Sequence, residues 1–338
     1  MLIVRPIELK DLSAYQELAF NASIGITTLP KNKTLLEKKV HLSLQSFQKK
    51  TLFPENELYI FVLEDTDSKS VGGTCAIFSK TGIQAPAYYY KVITEKRDSP
   101  FLVAESRVLH PISYVYGPSE VCGIFLKKEF RKGGLGKLLS FTRFLFMASF
   151  PHFFTKTIIS SIRGRIDSQG NSPFWNSLGH HFLSKSLDEV FHLLEDQKIS
   201  HKEIITPYPV HGALLSKKAC QTIGKPHMNS TPAFKMLKNQ GFSITDEIDI
   251  FDGGPKLMAE LSDIHAITKS RTGFIKKISS NIENSTYSLI CNQNHPFRVC
   301  YGEVSAKKEE VTLSSQVCEA LQLEQGDAVR YLHIPKHH

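Results

Sequence analysis

The chain has 338 residues, 41% of them hydrophobic and 22% charged, which excludes a disordered chain and is typical of a globular protein with two or three domains. The formal net charge is +8, but its lysines and arginines do not form the aromatic-interleaved basic block of a nucleic-acid-binding protein. The excess of positive charge is consistent either with binding of an anionic small molecule, such as coenzyme A, or with ordinary surface charge that favours solubility.

Cysteine usage and the N-terminal sequence indicate a compartment. The first six residues, 1–6, lack the charged and then apolar layout of a signal peptide, and no apolar run approaches the ~20 residues of a membrane span. The cysteines show no CxxC spacing and no dense framework; they are Cys75, Cys122, Cys220, Cys291, Cys300 and Cys318. We therefore predict a cytoplasmic protein with reduced thiols and no membrane partner.

The first half of the chain alternates strand and helix patterns. Period-2 and apolar β-branched runs predict strands at 2–5, 58–63, 71–78, 101–109, 121–126 and 158–162. Helical spacing predicts helices at 10–19, 34–47, 135–150 and 173–178, the last begun by Ser172 with proline in its first turn. The order predicts an α/β domain of the α+β type around a mixed, mostly antiparallel sheet.

A weak internal repeat follows. Residues 172–182 and 231–242 each read as a capped helix, a glycine and then an aromatic residue, Phe182 or Phe242, that starts a strand. The similarity is explained either by a degenerate second copy of the first domain's last unit or by two helix-to-strand units that share their caps by chance.

The character of the sequence changes after residue 255. Short runs at 287–291, 299–304 and 328–334, with a turn at Gly326 and Asp327, predict a small β-rich module without evident chemistry. The predicted domains are therefore residues 1–184, a second unit at 185–255, and the C-terminal module at 256–338.

The segment that indicates chemistry joins the strand at 121–126 to the helix that follows it. Its six candidate ligand-binding residues are Arg131, Lys132, Gly133, Gly134, Leu135 and Gly136. Unpaired amides at a helix start attract anions, and glycines let the backbone approach a pyrophosphate closely. Taken alone, this short pattern is nearly as consistent with a surface turn before a helix.

The segment resembles the coenzyme A pyrophosphate loop of the GNAT acyltransferase superfamily, in which Gln or Arg is followed by two residues, Gly, one residue, and Gly or Ala. Two further features are similar to that superfamily: Arg5-Pro6 with Asp11-Leu12 at the start, and the aromatic, Leu-Gly, aromatic unit at 174–182. The resemblance implies an acyl-CoA N-acyltransferase fold, in which this loop binds the pyrophosphate of coenzyme A. It also allows the second copy in the repeat to be a degenerate unit of the same fold.

A more specific resemblance is to the arginine N-succinyltransferase family. It rests on stretches that run almost end to end, at 27–30, 59–65, 119–122, 163–167, 172–175 and 249–255. The resemblance implies transfer of a succinyl group from succinyl-CoA, a co-substrate, to the α-amine of arginine, with no permanently bound cofactor. It also implies that Ile124 contacts the acyl-CoA through its main chain and that His227, in the second unit, transfers protons.

The acceptor site is less well defined by the sequence. A guanidinium requires carboxylates, and Glu120 and Asp252 lie in family-like stretches, although either fits a capping or turn role equally well. Residues 90–116 depart from the family pattern. His180 and His181 lack spaced partners for a metal, so we expect no metal site.

Three hypotheses on function remain open at this point. The first is arginine N-succinyltransfer. The second keeps the fold and changes the acceptor to another amine, and the third is a catalytically silent coenzyme A-binding regulatory protein. The family resemblance leaves association with identical or different chains open as well.

Overall fold

The computed structural model describes residues 1–22, 28–49, 52–96, 105–294 and 296–334. Part of the strand predicted at 101–109 and Thr27 of the stretch at 27–30 lie outside these residues.

One continuous sheet organises the described part of the chain. Its fifteen strands are β1 (Leu2–Pro6), β2 (Leu58–Asp65), β3 (Val71–Phe78), β4 (Ala87–Lys96), β5 (Glu105–Tyr114), β6 (Ser119–Leu126), β7 (Thr157–Ser161), β8 (Val210–His211), β9 (Ser243–Asp249), β10 (Pro255–Glu260), β11 (Arg271–Ile278), β12 (Thr286–Asn292), β13 (Val299–Lys307), β14 (Glu310–Leu313) and β15 (Ala328–His333). The central order is β1-β2-β3-β6-β7-β10-β9-β4-β5-β8.

The helices cover this sheet. They are α1 (Leu12–Asn21), α2 (Lys33–Gln48), α3 (Leu135–Ser149), α4 (Pro173–Ser177), α5 (Gly179–Leu183), α6 (Leu187–Glu195), α7 (His201–Ile204), α8 (Lys217–Thr222), α9 (Thr231–Asn239), α10 (His265–Lys269) and α11 (Ser315–Leu321). The strands at 58–63 and 71–78, the helices at 10–19 and 34–47 and the long helix after the glycine segment were predicted correctly, with end shifts of a few residues.

Strand β2 shows why the sheet has a layer on each face. All but one of its residues are buried, and because successive side chains point to opposite faces, they enter two different cores. Tyr59 and Phe61 pack in the core that contains α3, whereas Ile60 and Val62 pack with residues of α1 and α2. The continuous apolar run at 58–63 is thus the signature of a strand buried on both faces.

A buried ion cluster ties the first strand to its neighbours. The Arg5 guanidinium donates to both oxygens of Asp11, at 2.7 and 2.9 Å, and to Glu64 on β2. All three side chains are buried, so each charge depends on its partners. The Arg-Pro and Asp-Leu pairs that the sequence singled out therefore fix the turn from β1 into α1.

The structure corrects the interpretation of the repeat at its first copy. Ser172 caps α4 as predicted, accepting a hydrogen bond from the Trp175 amide at 3.2 Å. Phe182, however, lies in helix α5 and is exposed instead of starting a strand. Gly179 packs so closely on Trp175 that an added Cβ would lie 2.3 Å from the indole, and this contact favours a second helical turn. In the other copy, Phe242 is buried and leads into β9.

The C-terminal strands form a small closed unit. β12 pairs with both β13 and β15, so the five strands β11 to β15 return on themselves around a core of their own. This unit joins the central sheet where β13 pairs with β1, with Ile3 opposite Cys300 and Val4 opposite Val299. The β-rich character predicted from the sequence is confirmed. β10, which opens the predicted third domain, pairs with β7 and β9 of the central sheet, and the division at 184 and 255 stays a prediction.

Candidate active site

Two neighbouring parallel strands separate and open the centre of the sheet. β6 pairs with β7 only at its first two residues, Ser119 opposite Ile158 and Glu120 opposite Ile159. Beyond that point β6 continues along β3, while β7 continues along β10. The carboxyl-terminal ends of β6 and β7 therefore flank a gap, the position at which open α/β sheets bind ligands.

A bulge lies on the β6 side of this gap. The register between β3 and β6 passes from Cys122 to Phe125, so Gly123 and Ile124 both lie opposite the single residue Cys75. Gly123 has a φ of +58°, a left-handed conformation that glycine adopts at little cost. Such bulges redirect the backbone beside functional sites. The bulge thus falls at Ile124, the residue predicted to contact the acyl-CoA.

The glycine segment forms an open turn at the start of α3. Gly134 is the N-cap of the helix, with a φ of 76°. A Cβ placed on Gly133 or on Gly136 would meet no atom within 4 Å, and among the described residues the amides of these three glycines donate no hydrogen bond. Arg131 and Lys132 of the segment are exposed, whereas Leu135 packs into the core. The turn therefore presents free amides, as an anion site requires.

The gap continues into a cleft of about 540 Å³. Three predicted site residues, Ile124, Glu120 and Asp252, line it together, although they are far apart in the sequence. His227 and residues 131–136 do not line it; Ser230, three residues after the histidine, does. The cleft thus brings together the predicted acyl-CoA contact and both predicted acceptor carboxylates.

Glu120 is a buried carboxyl group in the wall of this cleft. It accepts a hydrogen bond from the Ser161 amide at 3.3 Å and is 8% exposed. Burial raises its pKa, and the hydrogen bond from Ser161 only partly opposes this effect. The side chain can thus accept a hydrogen bond from a cation, and it takes up a proton more readily than an exposed glutamate does.

Asp252 and Asp249 form a second acidic group at the tight turn after β9. Asp249 accepts hydrogen bonds from the amides of Phe251 and Asp252, at 2.7 and 3.2 Å, and Asp252 accepts one from Gly254 at 2.9 Å. Burial, and for Asp252 also the nearby charge of Asp249, raises the pKa of these carboxyls. Asp252 therefore does fill a turn role, and it faces the cleft at the same time.

Basic side chains line the same cleft. Lys39 of α2 donates to the Thr28 carbonyl at 2.7 Å, and Arg143 of α3 donates to the carbonyl and hydroxyl oxygens of Ser140 at 3.2 and 2.9 Å. Arg163, just after β7, is half-buried, and its Nε has no hydrogen-bond partner. Burial lowers the pKa of all three groups.

His227 is held at both ring nitrogens. Its Nδ1 accepts from the Asn229 amide at 3.1 Å, which leaves Nε2 to donate to the Ile166 carbonyl at 3.0 Å. Burial, with the positive charges of Arg163 and Arg165, lowers its pKa. The ring is therefore neutral near pH 7, and it is fixed as the cap of a short 3-10 helix, Met228–Ser230.

Cys122 also borders the cleft, but as a core residue. Burial raises the pKa of its thiol far above the ordinary value, so the thiol stays protonated and is a poor nucleophile.

Several cleft residues were not singled out from the sequence. Arg163 and Asp249 lie in the stretches at 163–167 and 249–255, so their motifs were recognised but not their roles. Lys39 lies in an ordinary helix pattern and Tyr89 in strand β4, which was not predicted from the sequence. Only the folded chain brings these two residues to the cleft. In the described part of the chain, no group of three or more His, Cys, Asp or Glu residues is arranged to hold a metal ion.

Comparison with known proteins identifies the family. The family model described as arginine N-succinyltransferase beta subunit matches residues 2–266, and the model of that subunit's C-terminal domain matches residues 271–333. The chain belongs to the arginine N-succinyltransferase family. Its sequence is 34% identical to the arginine N-succinyltransferases of Shigella sonnei (strain Ss046) and Escherichia coli (strain 55989 / EAEC), over 99% of this chain and 98% of each relative.

A solved structure supports the same assignment. The arginine/ornithine succinyltransferase subunit AI from Pseudomonas aeruginosa superimposes with a TM-score of 0.89 and 30% identity, covering 98% of both chains. These matches confirm the predicted membership of the arginine N-succinyltransferase family, the α/β acyltransferase fold that the resemblance implied, and the assignment as an acyltransferase. None of the helices in the described residues is long and apolar enough to cross a membrane.

Proposed function

We propose that this member of the arginine N-succinyltransferase family transfers a succinyl group from succinyl-CoA to the α-amine of L-arginine. The observation that carries the proposal is the cleft between β6 and β7. It joins a bulged strand at Ile124 to three carboxyl groups, of which Glu120 and Asp252 are buried and Asp249 is half-buried. A neutral thioester carbonyl and a cationic acceptor thus each have complementary groups within one cavity.

The donor is proposed to bind along β6 and the glycine turn. The free amides of Gly133, Gly134 and Gly136 and the open space at Gly133 and Gly136 support contact with the pyrophosphate. Arg131 and Lys132 are adjacent positive charges. Main-chain groups of Ile124 would hold the thioester, and an amide there would stabilise the oxyanion that forms on attack. Coenzyme A is a co-substrate and leaves as the free thiol.

The acceptor is proposed to bind at the acidic wall. Glu120 and Asp252 accept the guanidinium or the ammonium, and because both are buried, a bound cation would lower the pKa of each carboxyl. The α-ammonium must lose a proton before its nitrogen attacks the thioester carbon. The tetrahedral intermediate then expels the thiolate, which takes up a proton.

We propose His227 as the group that transfers these protons. Its lowered pKa keeps the ring able to accept a proton at neutral pH. Since Nδ1 now accepts from the Asn229 amide, that bond must be released or lengthened when the ring takes a proton there. His227 caps the 3-10 helix Met228–Ser230, and Ser230 of that helix lines the cleft. A small shift of this helix would therefore bring the histidine towards the substrate.

Coenzyme A release measured over a panel of donors and amines tests the proposal. Succinyl-CoA and acetyl-CoA are combined with arginine, ornithine and putrescine, and the acylated product is identified by mass spectrometry. We expect release with succinyl-CoA and arginine well above every other pair. Faster release with another amine would favour a different acceptor, and no release from any pair would favour a silent coenzyme A-binding protein.

Two further assignments are part of the proposal. The thiols, all free in the structure, support a reducing compartment, the cytoplasm. Both the family model and the Pseudomonas structure are described as subunits, which supports association of this chain with identical or different chains.

A further inference from the structure

The basic side chains that line the cleft differ in how their donors are used. They are Lys31, Lys39, Lys80, Arg143 and Arg163. Lys39 and Arg143 donate to main-chain carbonyls nearby. Arg163 is the one among these five that has a buried side-chain nitrogen without a hydrogen-bond partner in the described part of the chain.

Arg163 is also without an ion pair. No carboxylate in the described residues lies within 4.0 Å of its guanidinium, although the charge of Asp252 acts on it from farther away. Asp252 offsets little of the Arg163 charge, because burial and the charge of Asp249 raise the pKa of the Asp252 carboxyl and favour its neutral form. A guanidinium keeps its charge in proteins, and a half-buried charge without a counter-ion is unfavourable. An anion bound at this point would remove that cost.

The proposed substrates carry the matching group. The donor's acyl chain ends in a free carboxylate, and the acceptor has an α-carboxylate next to the reacting amine. A carboxylate that enters the cleft loses part of its hydration, so each substrate carboxylate needs a cation within the cleft. The planar fork of an arginine is the geometry that pairs with a carboxylate through two parallel hydrogen bonds.

We propose that Arg163 binds a substrate carboxylate and thereby determines which donor or acceptor the cleft takes. The proposal rests on the proposed function for the identity of the two substrates. It assigns Arg163 a role in recognition, while its main-chain carbonyl separately accepts the His227 amide at 2.8 Å. Substitution of the side chain leaves that main-chain bond in place.

Two substitutions and a matched control isolate the side chain. Arg163→Gln removes the charge and the fork, and Arg163→Lys keeps only the charge. Arg107→Gln makes the same chemical change at an exposed position on β5 outside the cleft lining. Each protein is assayed for kcat/KM with succinyl-CoA and acetyl-CoA as donors and with arginine and agmatine, which lacks the α-carboxylate, as acceptors.

The pattern of losses identifies the carboxylate. If Arg163 binds the donor, Arg163→Gln lowers kcat/KM for succinyl-CoA on the order of 10- to 100-fold and leaves acetyl-CoA nearly unchanged. If it binds the acceptor, arginine shows the loss and agmatine does not. Arg163→Lys retains part of the kcat/KM that Arg163→Gln loses, because it keeps the charge. Arg107→Gln retains full activity. Equal losses with all substrates, or no loss, would overturn the proposal.

Calorimetric binding separates this proposal from the proposed function. Affinities for succinyl-CoA, acetyl-CoA, arginine and agmatine are measured with the wild type and with Arg163→Gln. A wild type that transfers no succinyl group would refute the proposed function, yet the change in affinity would still decide the role of Arg163. We expect no fall in Tm for Arg163→Gln without ligand, since an uncompensated charge is removed. Unchanged affinity for both carboxylate ligands would overturn the assignment.

Discussion

The hydroxyl of Tyr301 donates a hydrogen bond of 3.0 Å to the main-chain carbonyl of Gly134. Tyr301 belongs to β13 of the C-terminal unit and Gly134 to the turn proposed for the pyrophosphate. The tyrosine ring is itself stacked on Tyr287, with the centroids 5.2 Å apart. A module in which the sequence indicated no chemistry therefore supports the proposed coenzyme A site.

Tyr301→Phe is expected to weaken coenzyme A binding. The substitution removes one hydrogen bond to the Gly134 carbonyl and keeps the stacked ring, so the turn loses a restraint but not its packing. A net hydrogen bond is worth about 0.5–1.5 kcal/mol, which sets a loss of affinity of roughly 2- to 13-fold. Isothermal titration with coenzyme A measures it. Tyr116→Phe, at an exposed position, is the control, and equal affinities would show that the contact does not shape the turn.

Replacement of His227 tests proton transfer separately from helix capping. His227→Ala removes both roles and is expected to lower kcat on the order of 10²- to 10⁴-fold. His227→Asn can still accept from the Asn229 amide, since asparagine is a good cap, but it cannot take up the proton. If His227 transfers protons, the Asn variant is as slow as the Ala variant.

The pH dependence gives a second readout for His227. Burial and two arginines lower the pKa of His227 from the ordinary histidine value of about 6.5. On the acid side of the pH profile, kcat/KM should therefore decline with a midpoint below that pH. That decline should disappear in His227→Asn. His181→Ala, an exposed histidine on α5, serves as the control. Near-normal activity of His227→Asn would leave this residue only its structural role.

Cys122→Ala should remain active. Burial raises the pKa of the thiol, so no thiolate is available, and direct transfer requires no acyl-enzyme. The variant loses some packing in the core and is expected to be less stable by about 1–2 kcal/mol, measured by urea denaturation. Activity is followed by coenzyme A release at a temperature well below its Tm. A burst of coenzyme A release in the wild type that the variant lacks would contradict this expectation.

Asp252→Asn should change how stability depends on pH. The folded carboxyl has a raised pKa, so above about pH 4 the folded state binds more protons than the unfolded state. The contribution of this group to the free energy of unfolding therefore falls as the pH rises towards the raised pKa, by at most about 1.4 kcal/mol per pH unit. Asparagine stays neutral and keeps an oxygen for the Gly254 amide.

Urea denaturation at pH 5 and pH 8 measures this difference. The stability of Asp252→Asn relative to the wild type should be larger at pH 8. Asp196→Asn, at an exposed position, gives the baseline for loss of a surface carboxylate. A difference that shrinks towards pH 8 would mean that the Asp252 carboxylate is better stabilised when folded than when unfolded.

The elements that could be predicted from the sequence are those with local signals. The apolar run at 58–63 and the glycine turn before α3 both carry their structure in adjacent residues. Strand β4 was missed because its second half is largely solvent-exposed and its residues beyond Tyr90 show no clean alternation. Phe182 was assigned to a strand because the contact between Gly179 and the Trp175 ring, which favours a helix there, is invisible in a linear pattern.

The candidate site shows the same limit. The chain positions of Ile124, Glu120 and Asp252 could be obtained from motifs, but not that they share one cavity, because this depends on β6 and β7 separating after their first two pairs. The sequence gives no reason to single out Arg163 within the stretch at 163–167. Its Nε is buried without a hydrogen-bond partner, and this can be recognised only in the folded chain.

The pairing of β1 with β13 has a consequence for biosynthesis. Strand β1 is synthesised long before β13, yet one of its two edges is covered only when Val299 and Cys300 have been made. Until then the nascent sheet has an open edge, which invites pairing with other chains, and the long sequence separation slows closure. Cotranslational folding of this protein should thus pause with β1 half-paired, and a nascent chain stalled before residue 299 should need chaperone protection.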